Sequence, residues 1–323
     1  MDVKAENHYD FLIIGAGGTG LSAAMYAARL NMRSLVLGAS SGSELPIGGV
    51  ITLTDVVENY PGFISLTGTE LVQKIEEHAK SYPQVTIKED RAIDIQKDGQ
   101  FFIVKTEEEK TYTAATILFA TGAKWRELQM VGADTFKNKG VHYCALCDGP
   151  VYSGKDVCVI GGSDSAAKEA LFLDQHATKV YIIYRGDQIR PEPHNAKLIE
   201  KNEKIVVINK TNVVEIKGEK FATSVVLDKP YNGSAEIPLN GIFGAIGHIP
   251  LSDLARKMGV LINEKNEIKI DRDSNTNLPG VFAAGDVVDS GFKQLITGVA
   301  EGVVASHTAF QYLKKNEIPM ALD

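Results

Sequence analysis

At 323 residues the chain is longer than one hydrophobic core usually serves, so two domains are expected, and 44% hydrophobic with 23% charged residues excludes a disordered or fibrous chain. A net charge of −7 without any Lys/Arg-rich run argues against a nucleic-acid partner, and no apolar run is long enough to span a bilayer. The polar, acidic stretch 1–10 is neither signal nor transit peptide, which points to the cytosol, where 3 cysteines are not a structural disulfide framework.

Residues 11–14 are an apolar run that ends in Gly15-Ala16-Gly17-Gly18-Thr19-Gly20, and residues 21–30 follow with alanines and leucines at helical spacing. Strand, glycine turn and helix are the context a dinucleotide fingerprint requires. Gly15 makes the turn, Gly17 lets the backbone approach a pyrophosphate, and Gly20 lets helix pack on strand. The helix N-terminus then offers free N–H groups to the phosphates. A second strand, 34–37, ends in Gly38-Ala39-Ser40-Ser41 instead of the acid that would hold a ribose, so serines or backbone groups must serve there. Residues 48–62 read as an extended loop. Thr67-Gly68-Thr69-Glu70 fits a capping box, with Leu71, Ile75 and Ala79 on one helix face. Strands are expected at 85–87, 101–105 and 116–120, the last ending in Thr121-Gly122.

The pattern then repeats. The strand 157–160 ends in Gly161-Gly162-Ser163-Asp164-Ser165-Ala166, helix continues over 168–174, and 179–183 is the next strand. This predicts a second nucleotide-binding unit, with Ser163 in the place of the middle glycine. After its second strand stands Tyr184-Arg185-Gly186-Asp187-Gln188-Ile189-Arg190. Arg185 sits where NAD sites put an acid, which favours a 2′-phosphate and hence NADP. Hairpin strands are expected over 209–216 and 221–227. A buried strand follows at 241–248, another strand at 281–286, and a last amphipathic helix at 294–313.

Ahead of the second turn lies Cys144-Ala145-Leu146-Cys147-Asp148-Gly149. In a reducing compartment a Cys-x-x-Cys pair is redox-active or metal-binding. Zinc would need two more ligands, and although His142 is near and Cys158 follows, there is no second such pair. Cys158 lies inside an apolar strand and reads as inert core. His142 reads as a loop residue, and His248 as either a cofactor contact or a hinge residue.

Taken together, the sequence resembles the low-molecular-weight thioredoxin reductases, a branch of the flavoprotein disulfide reductases, over nearly its whole length. The carrying residues are the Gly15 to Gly20 turn, Val57-Glu58-Asn59-Tyr60-Pro61-Gly62, Thr121-Gly122-Ala123, Tyr143-Cys144-Ala145-Leu146-Cys147-Asp148-Gly149, Ala245-Ile246-Gly247-His248 and Pro279-Gly280-Val281-Phe282-Ala283-Ala284-Gly285-Asp286. The resemblance implies an α/β fold of two Rossmann-like dinucleotide-binding domains. An FAD domain (1–123 and 248–323) would be interrupted by an inserted pyridine-nucleotide domain (124–247) that carries the dithiol. FAD would be held by Gly15, Gly17, Gly18, Thr19, Gly20, Gly49, Asn59, Thr121, Gly122, Gly285 and Asp286. Asp286 would accept from the ribityl chain, and Lys293-Gln294-Leu295 would lie beside the isoalloxazine. There the N-terminus of the last helix would face the anionic reduced flavin.

NADPH would be held by Gly161, Ser163, Asp164, Ser165, Arg185 and Arg190. Cys147 would face the flavin, Cys144 would attack a thioredoxin or thioredoxin-like disulfide, and Asp148 would protonate the leaving thiolate. The resemblance also implies a homodimer, and rotation of the inserted domain about crossings near Gly122-Ala123-Lys124 and Gly247-His248. Four positions depart from the family: Val50 for glutamine, Ser163 for glycine, Tyr184 for histidine and Gly186 for arginine. Three of these touch the pyridine-nucleotide site, which opens NADH, ferredoxin or a deazaflavin as alternative donors. A flavin-dependent dithiol oxidase and a non-catalytic flavin-binding redox sensor are the remaining alternatives.

Overall fold

A computed structural model describes residues 7–38, 46–54 and 57–321. Ala39, Ser40 and Ser41, expected near the first ribose, lie outside the described residues. The chain opens with β1 (His8–Ile14), buried along its whole length, then α1 (Gly18–Arg29) and β2 (Ser34–Leu37). A 3-10 turn, Gly49–Leu53, occupies part of the stretch expected to be extended. The helix α2 (Gly68–Lys80) starts at the expected capping box: Glu70 N–H donates to Thr67 Oγ1 at 3.1 Å and Thr67 N–H donates to Glu70 Oε2 at 2.8 Å.

Four strands follow: β3 (Val85–Lys88), β4 (Ala92–Asp98), β5 (Phe101–Thr106) and β6 (Thr111–Phe119). The sequence reading missed β4. A register shift between Ala92 and Asp94 breaks its alternation and leaves Ile93 50% exposed. The sheet order is β3-β2-β1-β6-β5-β4. Strands β3, β2, β1 and β6 are parallel, while β5 and β4 run antiparallel at the edge.

A short strand, β7 (Ala123–Trp125), leads into the middle of the chain. There β8 (Val141–His142), α3 (Ala145–Asp148) and a 3-10 turn (Gly149–Tyr152) precede β9 (Asp156–Ile160) and α4 (Asp164–Leu173). This helix starts one turn before the expected 168, because Lys168 reaches back to Asp164 at 2.9 Å and supports the first turn. Next come β10 (Lys179–Ile183), α5 (Pro193–Glu200) and β11 (Ile205–Ile208), then the antiparallel meander β12 (Val213–Gly218), β13 (Ala222–Tyr231) and β14 (Ser234–Pro238). With β15 (Gly241–Gly244) the second sheet is complete, all parallel, in the order β11-β10-β9-β15-β8.

The chain returns through β16 (His248–Pro250), which pairs with β7. It continues with α6 (Asp253–Lys257), β17 (Val281–Ala283) and α7 (Leu295–Lys315). One edge of β6 is shared, its first half bonded to β5 and its second half to β17. Two compact units result: Met1–Lys124 with Pro250–Asp323, here the outer unit, and Trp125–Ile249, the inserted unit. No helix among the described residues is long and apolar enough to cross a membrane.

The returning segment closes the outer unit by close backbone approach. A Cβ on Gly302 would lie 2.6 Å from Thr19 O, so α7 rests directly on α1. The chain end is held by a buried carboxylate, with Ala321 N–H donating to Asp10 Oδ1 at 2.7 Å. Gly302→Val is expected to force the two helices apart at a cost of about 1–3 kcal/mol, read as a lowered urea midpoint at unchanged m-value.

Candidate active site

The outer unit builds a cradle at the C-terminal ends of β1 and β6. Gly15 turns the chain at φ +118°, and a Cβ there would sit 2.1 Å from Ala120 O. The paired glycines fold against this turn, with Gly48 N–H donating to Ala16 O at 2.8 Å and Gly17 bridged to Gly48. Gly17 itself has room, since the nearest atom to an added Cβ is Gly48 O at 3.7 Å. Two helices begin here. Gly18 of α1 meets Leu295 of α7, an added Cβ lying 2.6 Å from the leucine Cδ1. Neither helix has an acid in its first turn, and Gly17 gives α1 no side-chain cap. Two positive helix ends therefore converge, and the first N–H groups of α1 have no side-chain cap, which fits a dinucleotide pyrophosphate.

The other expected flavin contacts divide into two groups. Asn59 donates from Nδ2 to Gln294 Oε1 at 3.0 Å across 235 positions of sequence, so these two are brought together. Gly122 is open, and Asp286 is exposed, its carboxylate without a hydrogen bond among the described residues. By contrast Lys293 is committed within the protein: Nζ donates to Asp286 O at 2.8 Å and Val288 O at 2.9 Å, and pairs with Glu267 at 2.6 Å. Thr121 donates its hydroxyl to Leu251 O at 2.7 Å. Thr19 packs against Gly285 and Gly298. Glu301, unnoticed in the sequence, accepts from Gly285 N–H at 2.8 Å, and burial pushes its carboxyl pKa up against that pull.

The glycine turn of the inserted unit has the same shape and a different charge. A Cβ on Gly161 would lie 2.2 Å from Ala245 O, as close as at the first turn. Ser163 provides no side-chain cap to α4. Here, however, Asp164 puts a carboxylate in the first turn, held by Lys168, Asn195 Nδ2 at 2.8 Å and Glu192 N–H at 2.7 Å. Burial raises the Asp164 pKa, but these donors outweigh it and hold it below the usual range. The ring of Tyr184 lies on the turn: a Cβ on Gly162 would be 2.4 Å from it, and one on Gly186 2.5 Å. Arg190 donates to the Tyr184 hydroxyl at 3.1 Å, while Arg185 and Ser165 are exposed. The backbone fits a pyridine nucleotide; the carboxylate and the tyrosine stand against its phosphates.

Cys144 and Cys147 form a disulfide across a Cα–Cα span of 5.4 Å. Cys144 is the N-cap of α3, its Sγ accepting from Cys147 N–H at 3.1 Å. That donor favours the thiolate at Cys144 once the pair is reduced. Cys147 is exposed and Cys144 half-buried. The turn rests on β15. Tyr152 covers Gly241, His142 stacks on Phe243 with centroids 5.5 Å apart, and Tyr143 covers Gly244. The Tyr143 hydroxyl accepts from Leu128 N–H at 2.8 Å.

His142 is no loop residue. It ends β8, is 7% exposed, and approaches Asp148 Oδ2 at 3.1 Å through Nδ1 and the Tyr152 hydroxyl at 2.7 Å through Nε2. The Asp148 approach lies off the imidazole N–H direction, a charge contact short of a formed hydrogen bond. Burial pulls the His142 pKa below 6.5 against Asp148, which pulls it up. The available signal was alternation: in extended chain, residues 142 and 144 share a side. Cys158 is fully buried and its thiol pushed far up. His248 is exposed in β16. No group of three or more His, Cys, Asp or Glu among the described residues could hold a metal ion.

The family model for pyridine nucleotide-disulphide oxidoreductases matches residues 9–302. A thioredoxin reductase of Listeria innocua is 37% identical over 316 residues, covering 96% of this chain and 95% of its own. The crystal structure of Lactococcus lactis thioredoxin reductase superposes with a TM-score of 0.89 at 35% identity, covering 95% of this chain and 99% of that one. A ferredoxin-flavin thioredoxin reductase from Clostridium acetobutylicum gives 0.52 at 29% identity, covering 97% and 99%. The chain belongs to the pyridine nucleotide-disulphide oxidoreductases and, among them, to the low-molecular-weight thioredoxin reductases, FAD-dependent oxidoreductases acting on a disulfide.

Gly17→Ala separates binding from folding. The added methyl meets only Gly48 O at 3.7 Å, so thermal stability should hold within about 0.5 kcal/mol while purified protein loses its flavin absorbance. Iodoacetamide on the reduced native enzyme should label Cys144 and Cys147 and spare Cys158, which peptide mass mapping reads directly.

Proposed function

We propose that the enzyme reduces the disulfide of thioredoxin or a thioredoxin-like protein through the Cys144–Cys147 dithiol, with FAD in the outer unit and NADPH as donor. The observation that carries this reading is the Cys144–Cys147 disulfide on a surface turn with Asp148 next in chain. FAD would be held by the Gly15 to Gly20 turn, Gly49, Asn59, Gly122, Asp286 and the start of α7. When bound it would supply hydride chemistry with the donor and an electron pair to the Cys144–Cys147 disulfide, reducing it to the dithiol.

The protein's own residues then account for the exchange. Cys144, capped by the Cys147 N–H, attacks one sulfur of the substrate disulfide as a thiolate, forming a mixed disulfide and expelling the other sulfur. Asp148 gives that leaving sulfur its proton. Cys147 then attacks the Cys144 sulfur, releasing the second substrate thiol and restoring the Cys144–Cys147 bond. The substrate gains two electrons and two protons, and the dithiol loses them. Gly122 and Gly247 support rotation between the two tasks of the dithiol: both have positive φ, +67° and +102°, and no atom within 4 Å of an added Cβ.

NADPH would be bound by Gly161, Ser163, Ser165, Arg185 and Arg190. A second reading keeps the dithiol and changes the donor to NADH, ferredoxin or a deazaflavin. Asp164 at the head of α4 and the Tyr184 ring over Gly162 favour it, and so does the likeness to the clostridial ferredoxin-flavin enzyme. A cytosolic homodimer completes the proposal, supported by family resemblance and cysteine usage.

Anaerobic titration with NADPH and NADH at matched concentration tests the donor. Bleaching of the flavin by NADPH, reversed by oxidised thioredoxin, is the expected result. Bleaching by light alone, still reversed by thioredoxin, moves the assignment to the second reading. Failure of photoreduced enzyme to reduce thioredoxin overturns the function itself. Cys147→Ser should keep its flavin, lose turnover to background, and trap thioredoxin on Cys144, visible as a mixed disulfide on a non-reducing gel.

A further inference from the structure

We propose that His142, backed by Tyr152, is a positioning residue for Asp148, holding the carboxylate at the dithiol and stabilising the charge it acquires when it gives up its proton. The proposal rests on the exchange role of Asp148 described above. Three elements bring the groups together: β8 supplies His142, α3 supplies Asp148, and the 3-10 turn after α3 supplies Tyr152. His142 Nδ1 lies 3.1 Å from Asp148 Oδ2, and His142 Nε2 lies 2.7 Å from the Tyr152 hydroxyl. His142 and Tyr152 are each 7% exposed, whereas the Asp148 side chain is 39% exposed. One end of this series is therefore buried, and the other, the carboxylate of the residue that follows Cys147 in sequence, is partly exposed.

The surroundings fix the direction of the chain. From β15 the His142 ring meets only Phe243, stacked at 5.5 Å, and Tyr152 meets the same ring edge-on at 5.7 Å. Among the described residues Asp148 is the one charged group acting on His142, and on Tyr152 it is joined by the Lys155 ammonium, 5.6 Å from the ring centroid. Burial keeps the imidazole neutral at neutral pH, and pushes the Tyr152 phenol up to about 12, so it remains a donor. With Asp148 ionised, the Tyr152 O–H donates to Nε2 and the Nδ1–H faces the carboxylate.

The consequence concerns one proton. As Cys144 bonds to a substrate sulfur, the substrate S–S bond breaks and the proton moves from Asp148 to the departing sulfur. A carboxylate appears at Asp148, and the Nδ1–H is already aimed near it. The oblique contact closes into a hydrogen bond in that state, as catalytic contacts do on charging. The need for this assistance depends on the leaving thiol. An aliphatic thiolate is a strong base and needs the proton, whereas an aromatic nitrothiolate is a weak base and leaves unaided.

The test uses holoenzyme reduced with dithiothreitol and desalted, so that it is independent of both the donor and thioredoxin. Single-turnover rates are measured against hydroxyethyl disulfide and dithiobis(nitrobenzoate) between pH 5 and 9. Tyr152→Phe and His142→Leu should slow the aliphatic disulfide about fivefold, the worth of one hydrogen bond, and leave the aromatic one unchanged. His142→Asn, which keeps a donor toward Asp148, should recover part of the rate. Equal slowing of both disulfides marks a purely structural role and overturns the proposal, as does no slowing at all. Tyr152→Phe keeps the buried ring, so the test survives if His142→Leu fails to fold. Wild-type enzyme that reduces the small disulfides but not thioredoxin would refute the substrate assignment and leave this inference to the variant ratios.

Discussion

The dithiol depends on a strand that carries no catalytic group. On β15 the residues Gly241, Phe243 and Gly244 are covered in turn by Tyr152, His142 and Tyr143. Two of the three strand positions are glycines, and the space their missing side chains leave is filled by the rings that flank the Cys-x-x-Cys turn. A side chain at Gly241 or Gly244 would lift those rings and, with them, both cysteines. Gly149 adds the third support, since a Cβ there would press on Phe172 and Leu173 of α4 at 3.1 Å. The disulfide is thus presented by a short helix whose position is set by aromatic packing on a buried sheet, while its own last residue remains half exposed.

The two glycine turns are one backbone design with two electrostatic outcomes. Both bring the turn to within about 2 Å of clash with a carbonyl if a Cβ is added: Ala120 O at 2.1 Å for Gly15 and Ala245 O at 2.2 Å for Gly161. Both leave a helix N-terminus without a side-chain cap. The outer turn then adds a second helix end through the Gly18–Leu295 contact, and no acid. The inner turn adds Asp164, held ionised by Lys168, Asn195 and a backbone N–H, and a tyrosine ring secured by Arg190. An anion meets two positive helix ends at the first turn and a fixed carboxylate at the second.

Much of the fold was legible because it rests on local rules. The strands 34–37 and 179–183 coincide with β2 and β10, since largely buried parallel strands read as short runs of mostly apolar residues. The Thr67–Glu70 box and α7 were equally plain. The failures share a cause. At β4 a bulge shifts the alternation by one residue, and at β8 only two residues pair, too few for any periodicity to register. His142 was misread for that reason: its partners Asp148 and Tyr152 lie close in sequence, but its burial comes from Phe243, about a hundred positions away.

The sequence by itself determined the two βαβ turns, the Cys-x-x-Cys-Asp stretch and the family to which they belong, because glycine spacing and apolar runs act over a few residues. Only the tertiary structure decided what those residues do for one another. It committed Lys293 to Asp286 O, Val288 O and Glu267, and tied Asn59 to Gln294. It laid Tyr184 on the second glycine turn and joined Tyr152, His142 and Asp148 behind the dithiol. Hydrogen bonding and burial depend on which side chains converge across the sheet, and that convergence follows from packing between distant segments, which no local spacing encodes.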